Sequence, residues 1–165
     1  MRLTDLTLDL AGPVRDLMAA GAPFVRARDD SDYWLYATHF ADTCPVVLDD
    51  EGVVVAAAIA VQSQTRPGEI YLQDLMVDAG HRRQGMARML VGQLRAVAAE
   101  RGCTRITLTS APENHVAHRA WMRLGFTNRP GDQVTAEGVE VITDFKGVGK
   151  HRAVYDLDLA GRRRA

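Results

Sequence analysis

Apolar residues in this chain recur with two different periods, and these periods predict two kinds of element. Apolar or alternating runs predict strands over residues 45–49, 53–62, 70–77, 105–109 and 153–159, with a further strand beginning at Phe126. Apolar residues three or four positions apart predict helices over residues 13–20, 33–40, 84–101 and 117–124. The remaining segment, residues 132–148, is predicted to be a loop or a short hairpin.

The order of these elements predicts a mixed sheet. The turn Asp49-Asp50-Glu51-Gly52 joins two strands as a hairpin, which makes them antiparallel. The strand–helix–strand unit over residues 70–109 implies a parallel pair with a right-handed crossover. A chain of 165 residues fits one domain. We assign that domain to residues 1–160 and predict that the basic segment 161–165 is a disordered tail.

Charge and cysteine content narrow the class of protein. The formal net charge is −1, and this argues against a nucleic-acid partner, which needs a clear excess of basic residues. Cys44 and Cys103 match no zinc spacing, so no metal site is expected, and two thiols suggest a reducing compartment. The most apolar run, residues 53–61, is too short to cross a bilayer. We therefore predict a cytoplasmic protein without a membrane partner.

A glycine-containing basic loop precedes the predicted helix over residues 84–101. Backbone N–H groups at a helix start have no partner within the helix, and the helix dipole adds partial positive charge there. Arginines around Gly85 reinforce that charge, which suits a pyrophosphate. The candidate phosphate-binding residues are Arg82, Arg83, Gln84, Gly85, Met86, Ala87 and Arg88. The alternative is an ordinary basic helix start whose arginines are solvated.

Two motifs resemble those of the GNAT acetyltransferase superfamily. The first is Arg82-x-x-Gly85-x-Ala87, and the second is Asn114-x-x-Ala117-x-x-x-Trp121-x-x-x-Gly125-Phe126, some thirty residues later. The resemblance covers roughly residues 46–126 and implies acetyl-coenzyme A as co-substrate. It also implies an α/β (α+β) fold of the GNAT type. In that fold a mixed, mostly antiparallel sheet of about six to seven strands is flanked by helices, and a splayed parallel pair holds the cofactor.

The resemblance also implies roles for individual residues. Asn114 would bond to the pantetheine arm, with Ala117 and Trp121 on the same helix. A backbone amide of Leu75, Met76 or Val77 would polarise the thioester carbonyl, which is a strong catalytic device. Taken alone, Asn114 is also a typical helix N-cap, a role compatible with the first, and the alternative for Trp121 is core packing.

The attacking amine must lose a proton, because an alkyl ammonium has a reference pKa of about 10.4. Asp74 and Glu69 are the candidate bases, and Asp74 is preferred because it precedes the expected splay. Alternatively, Asp74 bonds to a neighbouring backbone group or arginine. Many members of the superfamily have a tyrosine acid where this chain has Trp121, whose indole N–H is only a donor. The protonation of the leaving thiolate is therefore left to water or Ser110.

Acids and aromatics cluster within residues 29–39, and this pattern suits a cationic amine. The candidate acceptor-binding residues are Asp32, Tyr33 and Tyr36. Alternatively, the aromatics belong to the core and the acids cap a helix. Two short stretches carry local resemblances. IYLQDLMVDAGHRRQGMA is similar to aminoglycoside 3-N-acetyltransferases, and HFADTC is similar to diaminobutyrate acetyltransferases.

These observations predict an acetyl-CoA-dependent N-acetyltransferase that acts on the primary amine of a small molecule, such as an amino acid, a polyamine or an aminoglycoside. The alternatives are a peptide or protein amine acetyltransferase and a non-catalytic acyl-CoA-binding module. Resemblance to the superfamily also implies a homodimer.

Overall fold

The computed structural model describes residues 1–159, so the predicted tail 161–165 lies outside the described residues. The helices are α1 (Leu8–Ala19), α2 (Asp30–His39), α3 (Met86–Glu100) and α4 (His115–Arg123). The strands are β1 (Arg2–Asp5), β2 (Pro45–Leu48), β3 (Val54–Gln62), β4 (Glu69–Val77), β5 (Arg105–Ser110), β6 (Thr127–Asn128), β7 (Gln133–Val134), β8 (Glu140–Val141) and β9 (Ala153–Asp158).

Seven strands form one sheet in the order β1-β2-β3-β4-β5-β9-β6, and β7 and β8 form a separate hairpin. The β4–β5 pair is parallel, whereas the other paired neighbours are antiparallel. This confirms the predicted mixed, mostly antiparallel sheet. The final strand inserts between β5 and β6, and residues 132–148 contain the short hairpin that was one of the two expectations for that segment.

The two faces of the sheet bury different helices. One core cluster joins the apolar face of α3 to residues of the central strands, including Ile70 and Leu72 of β4. The other joins α1 and α2 to the opposite face, where Met76 of β4 contributes. β4 is therefore covered on both faces, and its residues are divided between the two core clusters.

Several boundaries differ from the predictions. α1 begins at Leu8 rather than at residue 13, and Pro13 lies inside it. The prediction was based on the helical spacing of Val14, Leu17 and Met18, but Leu10 and Ala11 also pack against the core, and the helix begins before them. β1 was not predicted, because Leu3 is its one apolar residue and the strand lies at a sheet edge.

Candidate active site

A cleft of about 770 Å³ opens where β4 and β5 separate. Their parallel pairing ends at Leu72 and Leu108, although β4 continues to Val77 and β5 continues to Ser110. A bulge lies just after this point, at Gln73, because Asp74 pairs with Ile59 and Leu72 with Ala60, which leaves one extra residue on β4. A bulge bends a strand and interrupts its pairing. The splay expected between the two parallel strands is therefore present.

Strand geometry decides which backbone amides of β4 face this cleft. The N–H of Asp78 donates to the carbonyl of Val55 at 2.8 Å, so it points towards β3. In an antiparallel ladder successive residues point their backbone groups to alternate sides. The Met76 N–H therefore points towards β3, whereas those of Leu75 and Val77 point into the cleft. Of the three candidate amides, two have the direction needed to polarise a carbonyl there.

The basic loop forms one end of the cleft. Gly85 caps α3 with a φ of 86°, a conformation that favours glycine. The first bond into the helix runs from the Met89 N–H to the Gly85 carbonyl at 3.0 Å, so the N–H groups before Met89 have no partner within the helix. Within residues 1–159, the guanidinium groups of Arg82, Arg83 and Arg88 form no hydrogen bond or ion pair. The loop thus presents unpaired donors and unneutralised charge.

Most of the predicted phosphate-binding residues line the cleft, and one does not. The lining members of the loop are Arg82, Arg83, Gly85, Met86, Ala87 and Arg88. Gln84 is absent from the lining, and its side-chain nitrogen lies 3.5 Å from the carbonyl of Gly80. His81 was missed but lines the cleft. Its Nδ1 contacts Asp78 at 2.8 Å and lowers the pKa of that carboxyl group.

Helix α4 forms the opposite wall. Asn114 caps this helix, and its Oδ1 accepts the Ala117 N–H at 3.1 Å. Asn114 therefore caps the helix through its oxygen, and its amide nitrogen still has no partner within residues 1–159. Trp121 packs edge-on against Phe126 with ring centres 5.7 Å apart. Its Nε1 is buried without a partner although the residue lines the cleft. Both side chains keep a free donor for a bound group.

The segment between α1 and α2 closes the cleft, and its contribution was not predicted. Residues 20–25 belong to the lining. They carry no charged side chain and no motif, so only the packing of α1 against β3 and β4 brings them here. The sequence therefore offered no local signal for this wall.

Asp74 lies on the face of β4 that packs against α1 and α2, as Met76 does, beside a second set of polar groups. Its side chain is 13% exposed, and the Arg28 Nη2 lies 3.6 Å from its Oδ2. Burial raises the pKa of Asp74, although Arg28 and Lys146 partly offset this effect. A carboxyl group with a raised pKa is a better proton acceptor than an ordinary aspartate.

The predicted acceptor-binding residues of α2 divide into two roles. Tyr33 is 2% exposed and belongs to the core, as the alternative held. Tyr36 lies at the surface of this site, where its hydroxyl accepts the Arg28 Nε at 3.1 Å. The two rings meet edge-on with centres 6.0 Å apart, and burial raises the pKa of both. Asp32 lies close enough to Tyr36 to contribute to the raised pKa of that tyrosine.

Glu69 is not brought together with these groups. It begins β4, five residues before Asp74, and extended strands rise about 3.3 Å per residue. Its side chain is buried, with Arg66 at 3.5 Å. The structure places this carboxylate at the far end of the strand, away from the splay.

Two further residues near Asp74 were missed by the sequence analysis. The Tyr71 hydroxyl lies 3.2 Å from the Thr109 Oγ1 and so bridges β4 and β5. The Lys146 Nζ donates to the same hydroxyl at 2.6 Å. Lys146 comes from the loop between β8 and β9, where no motif drew attention to it.

The geometry defines an acyl-CoA site of the kind found in acyltransferases, and comparisons with known proteins identify the family. The chain belongs to the acetyltransferase (GNAT) family, which it matches over residues 13–126. Acetyl-coenzyme A is accordingly its co-substrate, and an amine its acceptor. The unpaired donors of the loop, the free amide of Asn114 and the orphaned Trp121 nitrogen all suit the polar groups of this molecule.

Within this family, the chain is similar to enzymes with a named acceptor. The chain is 31% identical over 143 residues to an L-2,4-diaminobutyric acid acetyltransferase of Streptomyces coelicolor, which covers 81% of this chain and 80% of the relative. This bears out the resemblance carried by HFADTC. The resemblance to aminoglycoside 3-N-acetyltransferases stays a prediction.

Solved structures share the fold. Diaminobutyrate acetyltransferase EctA from Paenibacillus lautus, solved with L-2,4-diaminobutyric acid and coenzyme A, gives a TM-score of 0.75 at 20% identity over 96% of this chain and 94% of that chain. Naa20 from Chaetomium thermophilum, in complex with a bisubstrate analogue, gives a TM-score of 0.77 at 14% identity over 99% and 90%. At such identities the likeness concerns the fold alone.

Two features are absent from residues 1–159. None of the helices in this range is both long and apolar enough to span a membrane. The same range contains no group of three or more potential metal-binding side chains.

Proposed function

We propose that this protein transfers the acetyl group of acetyl-coenzyme A to a primary amine of a small diamino acid, and that L-2,4-diaminobutyrate is the first substrate to test. One observation carries this proposal. β4 presents free backbone amides to the coenzyme cleft on one side and a buried carboxylate, Asp74, on the other. The relatives that act on diaminobutyrate support the choice of acceptor.

In this proposal the coenzyme supplies an activated acetyl group, and the chain positions the reactants. The Leu75 N–H, assisted by that of Val77, stabilises the negative charge that develops on the carbonyl oxygen. Asp74 accepts the proton of the attacking amine, directly or through water. The amine nitrogen forms a bond to the carbonyl carbon as the carbon–sulfur bond breaks.

The leaving thiolate takes its proton from water in this scheme. Trp121 holds the position of the usual tyrosine acid, but an indole N–H does not ionise usefully. A coenzyme A thiol resembles a free thiol with a pKa of about 8.5, so its thiolate leaves without full protonation. Ser110, at the end of β5, is the other candidate donor.

Thiol release tests the proposal directly. The purified protein is mixed with acetyl-CoA and a panel of diamino acids, polyamines, aminoglycosides and short peptides, and free thiol is followed. We expect turnover with diaminobutyrate and little with peptides. Faster turnover of peptides would favour a protein acetyltransferase. Tight coenzyme binding without turnover of any amine would favour a binding module, as Trp121 in place of the acid suggests.

We propose a cytoplasmic homodimer. Cys44 and Cys103 are free and buried, which is compatible with a reducing compartment. Light scattering at several concentrations tests the dimer, and a monomer throughout would contradict it.

A further inference from the structure

The two lysines of this chain, Lys146 and Lys150, both lie in the loop between β8 and β9. Lys146 reaches the candidate acceptor site, where its Nζ donates to the Tyr71 hydroxyl and lies 5.2 Å from the centre of that ring. Tyr71 precedes Asp74 by three residues on β4. Lys146 is thus a cation carried to the acceptor site from a distant part of the chain.

The loop that carries Lys146 is internally braced. The Asp144 Oδ1 accepts the Gly149 N–H at 2.7 Å, and the Asp144 N–H donates to the His151 Nδ1 at 3.1 Å. A backbone bond of 3.3 Å runs from the Lys146 N–H to the Lys150 carbonyl. These bonds fix the turn that carries Lys146, and the Tyr71 hydroxyl holds its ammonium group.

A second cation reaches Asp74 from the segment between α1 and α2. The Arg28 guanidinium lies 3.6 Å from the Asp74 carboxylate and also donates to the Tyr36 hydroxyl. The groups that interact with Asp74 are thus two cations and neutral tyrosines. Arg28 and Lys146 together have more N–H donors than the Asp74 carboxylate accepts, so donors remain for a second carboxylate.

We propose that Lys146, together with Arg28, binds the carboxylate of the acceptor, so that the site selects an amine that also carries a carboxylate. Charge-assisted bonds from lysine and arginine are the usual means of holding a carboxylate. A single acid between the two cations leaves them capacity for a second one. This inference rests on the proposed function, and it names the residues that distinguish a diamino acid from a plain diamine.

A matched pair of acceptors tests the inference. L-2,4-Diaminobutyrate and 1,3-diaminopropane differ by the carboxylate alone. We expect Lys146→Met to lower kcat/KM for diaminobutyrate about 10- to 100-fold, mainly through KM, because a charge-assisted bond is lost. The value for 1,3-diaminopropane should stay within about threefold. Lys146→Arg keeps the cation and should restore most of the preference.

Lys150→Met is the control, since it removes the other lysine of the same loop and should leave both acceptors unaffected. An equal loss for both acceptors in Lys146→Met would show a merely structural lysine and overturn the inference. A wild-type protein that prefers 1,3-diaminopropane would also overturn it, while the proposed acetyl transfer would stand. A protein that acetylates no amine would overturn both.

Discussion

The two sides of β4 present different kinds of polar group to a ligand. On the coenzyme side, the cleft presents backbone amides of β4 and of the α3 start, together with arginines close to them in sequence. On the acceptor side, the contacts are between side chains from separate elements. Arg28 precedes α2, Tyr36 lies on α2, Asp74 on β4 and Lys146 on the loop before β9.

This difference decides what a sequence reveals. A site made of backbone groups needs a particular chain path, and that path requires glycine at a fixed spacing, as at Gly85. A site made of side chains from distant segments needs no local pattern. Substitutions on the two sides should therefore differ in effect. We expect the largest loss of activity at Asp74 on the acceptor side and the smallest change at Trp121 on the coenzyme side.

Asp74→Asn should have the largest effect. An amide cannot accept the amine proton, so we expect kcat/KM for the acceptor to fall about 10²- to 10⁴-fold near neutral pH. Coenzyme affinity, measured by calorimetry, should not change. In the wild-type protein, activity should fall with decreasing pH at a higher pH than for an ordinary aspartate, because burial raises the pKa of Asp74. The residual activity of Asp74→Asn should not show this fall with decreasing pH.

The free energy of unfolding of Asp74→Asn, measured as a function of pH, distinguishes a buried base at Asp74 from a structural ion pair with Arg28. Because burial raises the pKa of Asp74, the folded state binds this proton more tightly than the unfolded chain. The resulting contribution to stability is fully present below the unfolded pKa of about 3.9 and is lost as pH rises through the folded value. Asp74→Asn should therefore gain stability over wild type as pH rises from about 4 to 7. A loss over that range would favour the ion pair with Arg28.

Gly85→Asn tests the coenzyme side with the next largest effect. Asparagine tolerates a positive φ better than other side chains, and a Cβ at Gly85 has nothing within 4 Å in the free protein. The added side chain should crowd the phosphates and weaken coenzyme A binding about 10- to 100-fold by calorimetry. Gly52→Asn is the control, because Gly52 has a φ of +83°, equally open space and a place in the β2–β3 turn. Equal affinities in the two variants would exclude the phosphate site from this loop.

The sequence predicted most of the residues that line the cleft, but few of those that lie around Asp74. The alternation of apolar residues was sufficient to predict the sheet. The spacing around Gly85 and Asn114 was sufficient to predict the start of α3 and most of the residues that line the cleft. The wall formed by residues 20–25 was missed because it depends on how α1 packs. On the acceptor side, Tyr33 was assigned to a surface that it does not reach, since its burial follows from the packing of α2. Lys146 could not be predicted from the sequence, because only the folding of its loop brings it to Tyr71.

Arg88→Gln should have a smaller and salt-dependent effect. Arg88 lies in the first turn of α3, is exposed and has no partner within residues 1–159. An exposed contact between a guanidinium and a phosphate contributes little, so coenzyme affinity should fall about two- to fivefold at low salt and less at high salt. Arg119→Gln, on the exposed face of α4, is the control and should bind normally. A loss that does not depend on salt would contradict an electrostatic role.

Trp121→Tyr should have the smallest effect, and its size decides whether the missing acid limits catalysis. A thiolate of pKa about 8.5 leaves without full protonation, so restoring a tyrosine hydroxyl should change kcat by less than about threefold. Trp121→Phe is the control for the lost contact with Phe126, because it removes the ring volume without adding a hydroxyl. The comparison is made over a pH series by thiol release. A gain of tenfold or more in the tyrosine variant alone, lost as pH rises towards the tyrosine pKa of about 10, would show that protonation of the leaving group limits this enzyme. The coenzyme side would then contribute an ionising side chain, and the contrast between the two sides of β4 would fail.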